Sequence, residues 1–237
     1  MNMKKSYILG GLVLLLSLSS CMVRINNKSI RGSGSSLVAD GNLQTETQPL
    51  DSFSQIRLVG SPDVRFVQSE VEPYMEVTAS ANILPYLKGV VEDGRLTIRF
   101  ETPDSVSSLS TGKVDITVYA PVLEGVAVSG SGEFSTLSLS CPEDFSSSLT
   151  GSGDITVSGL SCRNLTVAVA GSGDITVSGE CRGDVLASVA GSGDVRVSGT
   201  SVNAALSVAG SGDIDARGLK VTGSVRSDTK GSGDIRY

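Results

Sequence analysis

The chain has 237 residues, with 19 Lys plus Arg against 25 Asp plus Glu for a formal charge of −6, and it holds 28 Gly, no His and no Trp. Without an imidazole, chemistry that relies on a His base or a His-ligated metal is excluded. An acidic chain with 4% aromatic residues also lacks the basic footprint and stacking platforms of a nucleic-acid binder, so no nucleic-acid partner is expected.

The chain opens on an address. Lys4 and Lys5 precede an apolar run from Tyr7 through Leu18, then Leu18-Ser19-Ser20 leads to Cys21. The run is too short for a span, which needs about 20 apolar residues, and its flanks resemble a bacterial lipoprotein signal. Residues 1–20 are therefore expected to be removed and Cys21 to be acylated, with palmitate among its chains, giving a lipid-anchored envelope protein at the outer membrane. Loss of Lys4 and Lys5 leaves 17 basic against 25 acidic side chains in the mature chain. The residues after Cys21, Met22-Val23-Arg24, hold no acidic cluster, which leaves the surface and the periplasmic face both open.

Residues 21–44 are polar and rich in Gly, Ser and Asn without a sustained period, and read as a flexible tether. Residues 45–128 contain β-like runs such as Gln55-Ile56-Arg57-Leu58-Val59, Val64-Arg65-Phe66-Val67 and Arg95-Leu96-Thr97-Ile98-Arg99, an irregular β-rich part. Gly60-Ser61-Pro62-Asp63-Val64 echoes the later repeat turn, so the same coil architecture is expected to begin there. Asn82 to Val91 is ambiguous between a short helix and a loop because Pro85 interrupts it, and the Ser-rich stretch from Thr102 to Gly112 reads as a disordered excursion.

Residues 129–237 carry the repeat that sets the fold. Gly-Ser-Gly begins at Gly130, Gly151, Gly171, Gly191, Gly210 and Gly231, at spacings of 21, 20, 20, 19 and 21. The two glycines of each copy (Gly130 and Gly132, Gly151 and Gly153, Gly171 and Gly173, Gly191 and Gly193, Gly210 and Gly212, Gly231 and Gly233) are assigned to tight turns, where glycine can take positive φ. Between turns, runs such as Ile155-Thr156-Val157-Ser158 and Leu165-Thr166-Val167-Ala168-Val169 alternate with period two. That pattern means strands with one buried face. Coils of about 20 residues stack in register as a parallel β-helix, with Ile155, Ile175, Val195, Ile214 and Ile235 in one inward column. The final run, Val225 to Lys230, places Ser and Thr inward, as an atypical terminal coil should.

Three constellations stand out. Asp154, Asp174, Asp194, Asp213 and Asp234 follow the turns and would stack about 4.8 Å apart. They read chiefly as turn carboxylates accepting backbone N–H bonds, and secondarily as Ca²⁺ sites; no metal is assigned, because the spacing departs from the calcium-binding nonapeptide pattern. Cys141, Cys162 and Cys181 fall 11, 11 and 10 residues after their coil's first Gly, so a disulfide between neighbours and a buried thiol ladder are both open. Thr156, Thr166 and Thr176 begin outward polar rows able to meet protein or glycan. No pair of acids is singled out for glycoside chemistry, so no enzyme activity and no cofactor are expected.

The lipoprotein start, Phe53 with Ile56 and Val59-Gly60, Asp63-Val64, Gly94-Arg95-Leu96-Thr97-Ile98 and the Gly-Ser-Gly-Asp-Ile repeats together resemble the bacterial family called putative auto-transporter adhesin, head GIN domain, over about Ser52 to Tyr237. The resemblance implies a right-handed, two-sheet solenoid of the pectin-lyase type, an exported envelope protein of Bacteroidota, adhesion as the proposed role, and no agreed catalytic residues. The expected fold class is thus all-β, a right-handed parallel β-helix with a less regular N-terminal half. The expected function is that of an adhesin-like or structural binding protein; the alternatives are a polysaccharide-binding or polysaccharide-degrading β-helix and an envelope assembly scaffold. The oligomeric state is not specified.

Overall fold

The computed structural model describes residues 35–237, so the signal-like segment, the acylation site at Cys21 and the tether up to residue 34 lie outside the described residues. The fold is an all-β solenoid of about 5 turns with coils of about 21 residues. Each coil contributes one strand to each of two sheets, one of nine strands and one of eleven.

In the nine-stranded sheet, Gln55–Gly60, Gly125–Gly130, Phe145–Gly151, Leu165–Gly171, Asp184–Gly191, Asn203–Gly210 and Val225–Gly231 follow one another in parallel, residue for residue. In the eleven-stranded sheet, Val64–Gln68, Glu133–Thr136, Asp154–Cys162, Ile175–Cys181, Val195–Ser201, Ile214–Val221 and Ile235–Arg236 also follow one another in parallel, with two shifts of register. Of the expected inward column, Ile155, Ile175, Val195 and Ile214 are buried in successive coils and Ile235 ends it half-buried; Val64 and Phe134 extend it toward the N-terminus. A solenoid interior is narrow, and its composition follows. Phe66, Phe134 and Phe145 are buried in the earlier coils, whereas the later coils close on Val, Ile, Leu and Ala.

The spacing of the repeats varies by a residue either way, yet the register holds. Bulges absorb the extra residues, one between Val157 and Leu160 and one opposite Arg196 to Ser198. Gly159, at φ +58, supplies the backbone that the first of these requires.

The echo at Gly60 to Val64 is a true coil, since Gly60 pairs with Gly130 and Val64 with Phe134. Stacking, however, does not follow chain order. The chain returns to the other side of this first coil, where Arg95–Phe100 pairs with Gln55–Gly60 and Val114–Ala120 with Val64–Gln68. Antiparallel strands then close that end: Leu87–Glu92 on one sheet, Tyr74–Ser80 and Leu43–Pro49 on the other. The N-terminal half is less regular because it is a cap that folds back over the first coil.

Three expectations need correction. The tether does not reach residue 44, because Ser35–Val38 and Leu43–Pro49 are strands. The stretch from Thr102 to Gly112 is not a structureless excursion: its Val106–Ser110 strand pairs in parallel with Ser35–Val38, and Ser108 donates a hydroxyl hydrogen bond to Ser36. Both segments are polar and largely exposed, so neither shows an apolar face in sequence; each supplies the other's backbone partners. The ambiguous stretch after Asn82 resolves into a 3₁₀ turn, Leu84–Tyr86, with Pro85 in its first turn, followed by the strand Leu87–Glu92.

Candidate functional site: two corner ladders, a cysteine column and the outer faces

Each Gly-Ser-Gly corner is a stack of backbone. The carbonyl of Gly130 accepts hydrogen bonds from the N–H groups of Ser152 and Gly153, that of Gly151 from Ser172 and Gly173, and the same fork recurs at Gly171, Gly191 and Gly210. The two glycines are needed for different reasons. The first of each copy has positive φ, for example +136 at Gly191, and a Cβ there would also strike the carbonyl oxygen of the preceding coil. The second has no positive φ, and the positive-φ role expected for it does not apply. It is glycine because a Cβ would fall on the carbonyl oxygen below, as at Gly193 over Gly173.

The aspartates extend this stack. Asp174, Asp194, Asp213 and Asp234 each donate a backbone N–H to Oδ1 of the aspartate one coil earlier, at 2.8 to 3.1 Å. Glu133 donates likewise to Asp63 at 2.9 Å. The ladder then breaks, because Asp154 donates to the carbonyl of Gly132 and not to Glu133. The extra methylene of Glu carries its carboxylate away from the corner. Beyond the last of these aspartates, Arg236 lies 3.0 Å from Asp234 and 3.5 Å from Asp213, placing a cation beside the acidic column. Among the described residues, no group of three or more His, Cys, Asp or Glu is placed to hold a metal ion.

A second ladder at the opposite corner has no counterpart in the sequence analysis. Asn164 donates its amide to Asp144, Asp184 donates its N–H to Oδ1 of Asn164, Asn203 donates its amide to Asp184, and Ser224 donates its N–H to Oδ1 of Asn203. Charged and neutral side chains alternate, so like charges do not stack. The signal was an Asp or Asn immediately before each second strand, at Asp144-Phe145, Asn164-Leu165, Asp184-Val185 and Asn203-Ala204. Arg163 holds the start of this ladder, 2.8 Å from Asp144 and 3.0 Å from Glu143. Its hydrogen bond, with that of Asn164, holds the Asp144 carboxyl below the ordinary 3.8.

Cys141, Cys162 and Cys181 occupy one column in successive coils, all buried. Cys162 and Cys181 have their sulfurs 3.2 Å apart, while the Cys141 thiol donates to the carbonyls of Glu143 and Asp144. The hydrogen bond to Cys181, with burial, pushes the Cys162 thiol above the ordinary 9.0, and burial raises that of Cys141. Beside Cys141 opens a groove of about 630 Å³ whose wall includes Glu70, Glu124 and Glu143.

Two rows on the outer face of the nine-stranded sheet hold short side chains along the repeated coils, while a third carries the exposed Leu186 and ends on Arg226. One row runs Ser129, Thr150, Ala170, Ala190, Ala209, and its neighbour Ala127, Ser148, Ala168, Ser188, Ser207. On the other sheet the row runs Arg65, Ser135, Thr156, Thr176, Arg196, Asp215. Tyr74 and Tyr119 stack on each other, with ring centroids 4.5 Å apart, at the N-terminal end of this sheet.

Several known proteins are similar to the chain. A putative lipid binding protein from Parabacteroides distasonis superposes with a TM-score of 0.74 at 24% identity, over 85% of this chain and 99% of that one. A putative adhesin from Bacteroides fragilis gives 0.66 at 21% identity, over 84% and 99%. A second P. distasonis protein, a putative adhesin, gives 0.59 at 22%, over 85% and 99%. At these identities the likeness is one of fold. A search of curated proteins returned no match. The profile of one family matches residues 52–237, from Ser52 before the first coil to the last residue. With its coils, corners and cap all inside that match, the chain belongs to the putative auto-transporter adhesin, head GIN domain family.

Proposed function

We propose that this protein is a lipid-anchored binding module of the bacterial envelope, held at the outer membrane through acylated Cys21 and presenting a rigid, non-catalytic solenoid to a protein partner. The observation that carries this reading is the division of labour among its residues. The repeated Gly, Asp and Asn side chains and backbones hold coil to coil at the corners, and the nine-stranded sheet between them offers two flat rows of Ser, Thr and Ala. A flat, weakly charged face suits extended contact with another macromolecular surface more than enclosure of a small substrate. A protein partner is favoured over a glycan because the outward rows named above hold no aromatic side chain on which a sugar ring could stack.

Two experiments test the proposal. Cys21→Ala should abolish incorporation of labelled fatty acid and release the chain from the membrane fraction; persistence of both removes the anchor. Residues 35–237, presented to intact cells, extracellular-matrix proteins and a glycan array, should bind cells or proteins. Silence on all three removes the binding role, and binding to glycans alone replaces the protein partner with a polysaccharide.

A further inference from the structure

The column inside the eleven-stranded sheet runs from Cys141 through Cys162 and Cys181 to Ser201, which follows Thr200, the partner of Glu180. Spacing alone treats the three cysteines as equivalent, but the structure separates them. Cys162 and Cys181 are directly paired residues of adjacent parallel strands, with their sulfurs 3.2 Å apart. The Cys141 thiol is engaged elsewhere, as a donor to the carbonyls of Glu143 at 3.7 Å and Asp144 at 3.6 Å. At the other end of the column the position beside Cys181 is Ser201, whose hydroxyl is buried without a hydrogen-bond partner, so among the described residues no further thiol reaches Cys181 from that side.

From this arrangement we infer that Cys162 and Cys181 are joined by a disulfide in the exported protein and that Cys141 stays a buried thiol. Paired residues of adjacent strands lie about 4.8 Å apart, inside the Cα separation of about 4.4 to 6.8 Å that a disulfide accepts. The assignment rests on the export reading, because the exporting compartment supplies the oxidant, a disulfide carried by a protein or a small molecule. The thiolate of one cysteine attacks that disulfide, forms a mixed disulfide and expels one oxidant thiol. The thiolate of the second then attacks the protein-side sulfur of the mixed disulfide and expels the other oxidant thiol. Two thiols of the chain are oxidised, the oxidant disulfide is reduced to two thiols, and the two protons pass to them. The bond ties consecutive coils together through the core. With Cys162 at 0% and Cys181 at 7% exposure, the bond is shielded from mild reductants in the folded chain.

The test has two arms. The full chain is exported from a bacterial host, and the purified chain is separately unfolded, reduced and refolded in a glutathione redox buffer. Both are alkylated under denaturing conditions without reductant, digested and mapped by mass. The expected result is a linked peptide pair containing Cys162 and Cys181, with Cys141 alkylated, and a Tm that falls by several degrees when the bond is reduced. A refolded or exported chain with Cys141, Cys162 and Cys181 all alkylated overturns the inference, as does a link through Cys141 or through Cys21. Failure of export is read independently, from retention of residues 1–20, and leaves the refolding arm to decide the pairing. Cys141→Ala should leave the link in place, whereas its disappearance in that variant also overturns the assignment.

Discussion

Asp213 donates its backbone N–H to Oδ1 of Asp194 at 2.8 Å, so one side chain of each coil supplies the acceptor that the next coil's corner needs. The column of acids is thereby a structural ladder: the charge repulsion of stacking is opposed by a hydrogen bond to an ionised acceptor at every step. Substitution should separate the two effects. Asp174→Asn keeps an oxygen acceptor for the N–H of Asp194 and removes one repelling charge, and is expected to change stability by less than about 0.5 kcal/mol. Asp174→Ala removes the acceptor and should cost about 1 kcal/mol in denaturant unfolding. Equal losses for the two variants would show that charge, not acceptance, is what matters.

The break at Glu133 predicts a gain. Glu133→Asp places a shorter carboxylate where the N–H of Asp154 can reach it, as Asp154 does for Asp174. A stabilisation of up to about 1 kcal/mol is expected by chemical denaturation. A loss would mean that the corner above Asp63 differs in backbone from the later ones.

Glycine at the second turn position is required for space. Gly193→Ala drives a methyl group into the carbonyl of Gly173 and should cost about 3 kcal/mol or prevent folding, while Ser192→Ala, on the exposed residue between the two glycines, should stay within about 0.5 kcal/mol. Comparable Tm values for the two variants would contradict the close approach of the coils.

Millimolar Ca²⁺ against a chelator should leave Tm unchanged, since each aspartate from Asp154 to Asp213 already presents Oδ1 to a backbone N–H. A rise in Tm that saturates with Ca²⁺ would return the column to metal binding.

Acid should weaken the fold through two carboxylates in particular. The Arg217 guanidinium and backbone N–H hold Asp215 well below the ordinary 3.8, and Arg163 with Asn164 lowers Asp144. A group whose folded value is depressed contributes stability above its unfolded value and loses it as pH falls through the folded one. Tm should therefore be flat from neutral pH down to about 5 and fall below about 4. Both carboxylates are near the surface, so high salt should shrink the effect. Arg217→Ala should flatten part of the acid limb, and an unaltered profile would exclude the Asp215 contribution.

Much of the solenoid was legible in the chain because a coil can bury its face only against its neighbours, which forces the same residue types to recur at the same place. The inward column from Phe134 to Ile235 and the corners from Gly130 to Gly233 follow from that recurrence, as do the low aromatic content and abundant glycine of the composition. The second ladder was legible in principle, but its alternation of Asp with Asn hid a single geometric role behind two residue types. The Ser35–Val38 and Val106–Ser110 pair was not legible, because two polar strands that satisfy each other's backbone leave no hydrophobic period.

The amino-acid sequence by itself determined the repeat, its strands and its membership of a family, since these depend on local period and turn chemistry. Only the tertiary structure decided that the chain folds back behind its first coil and caps itself with antiparallel strands, and that Cys162 faces Cys181 while Cys141 turns to Glu143 and Asp144. Stacking order and side-chain direction depend on contacts between residues far apart in the chain, and no local pattern encodes them.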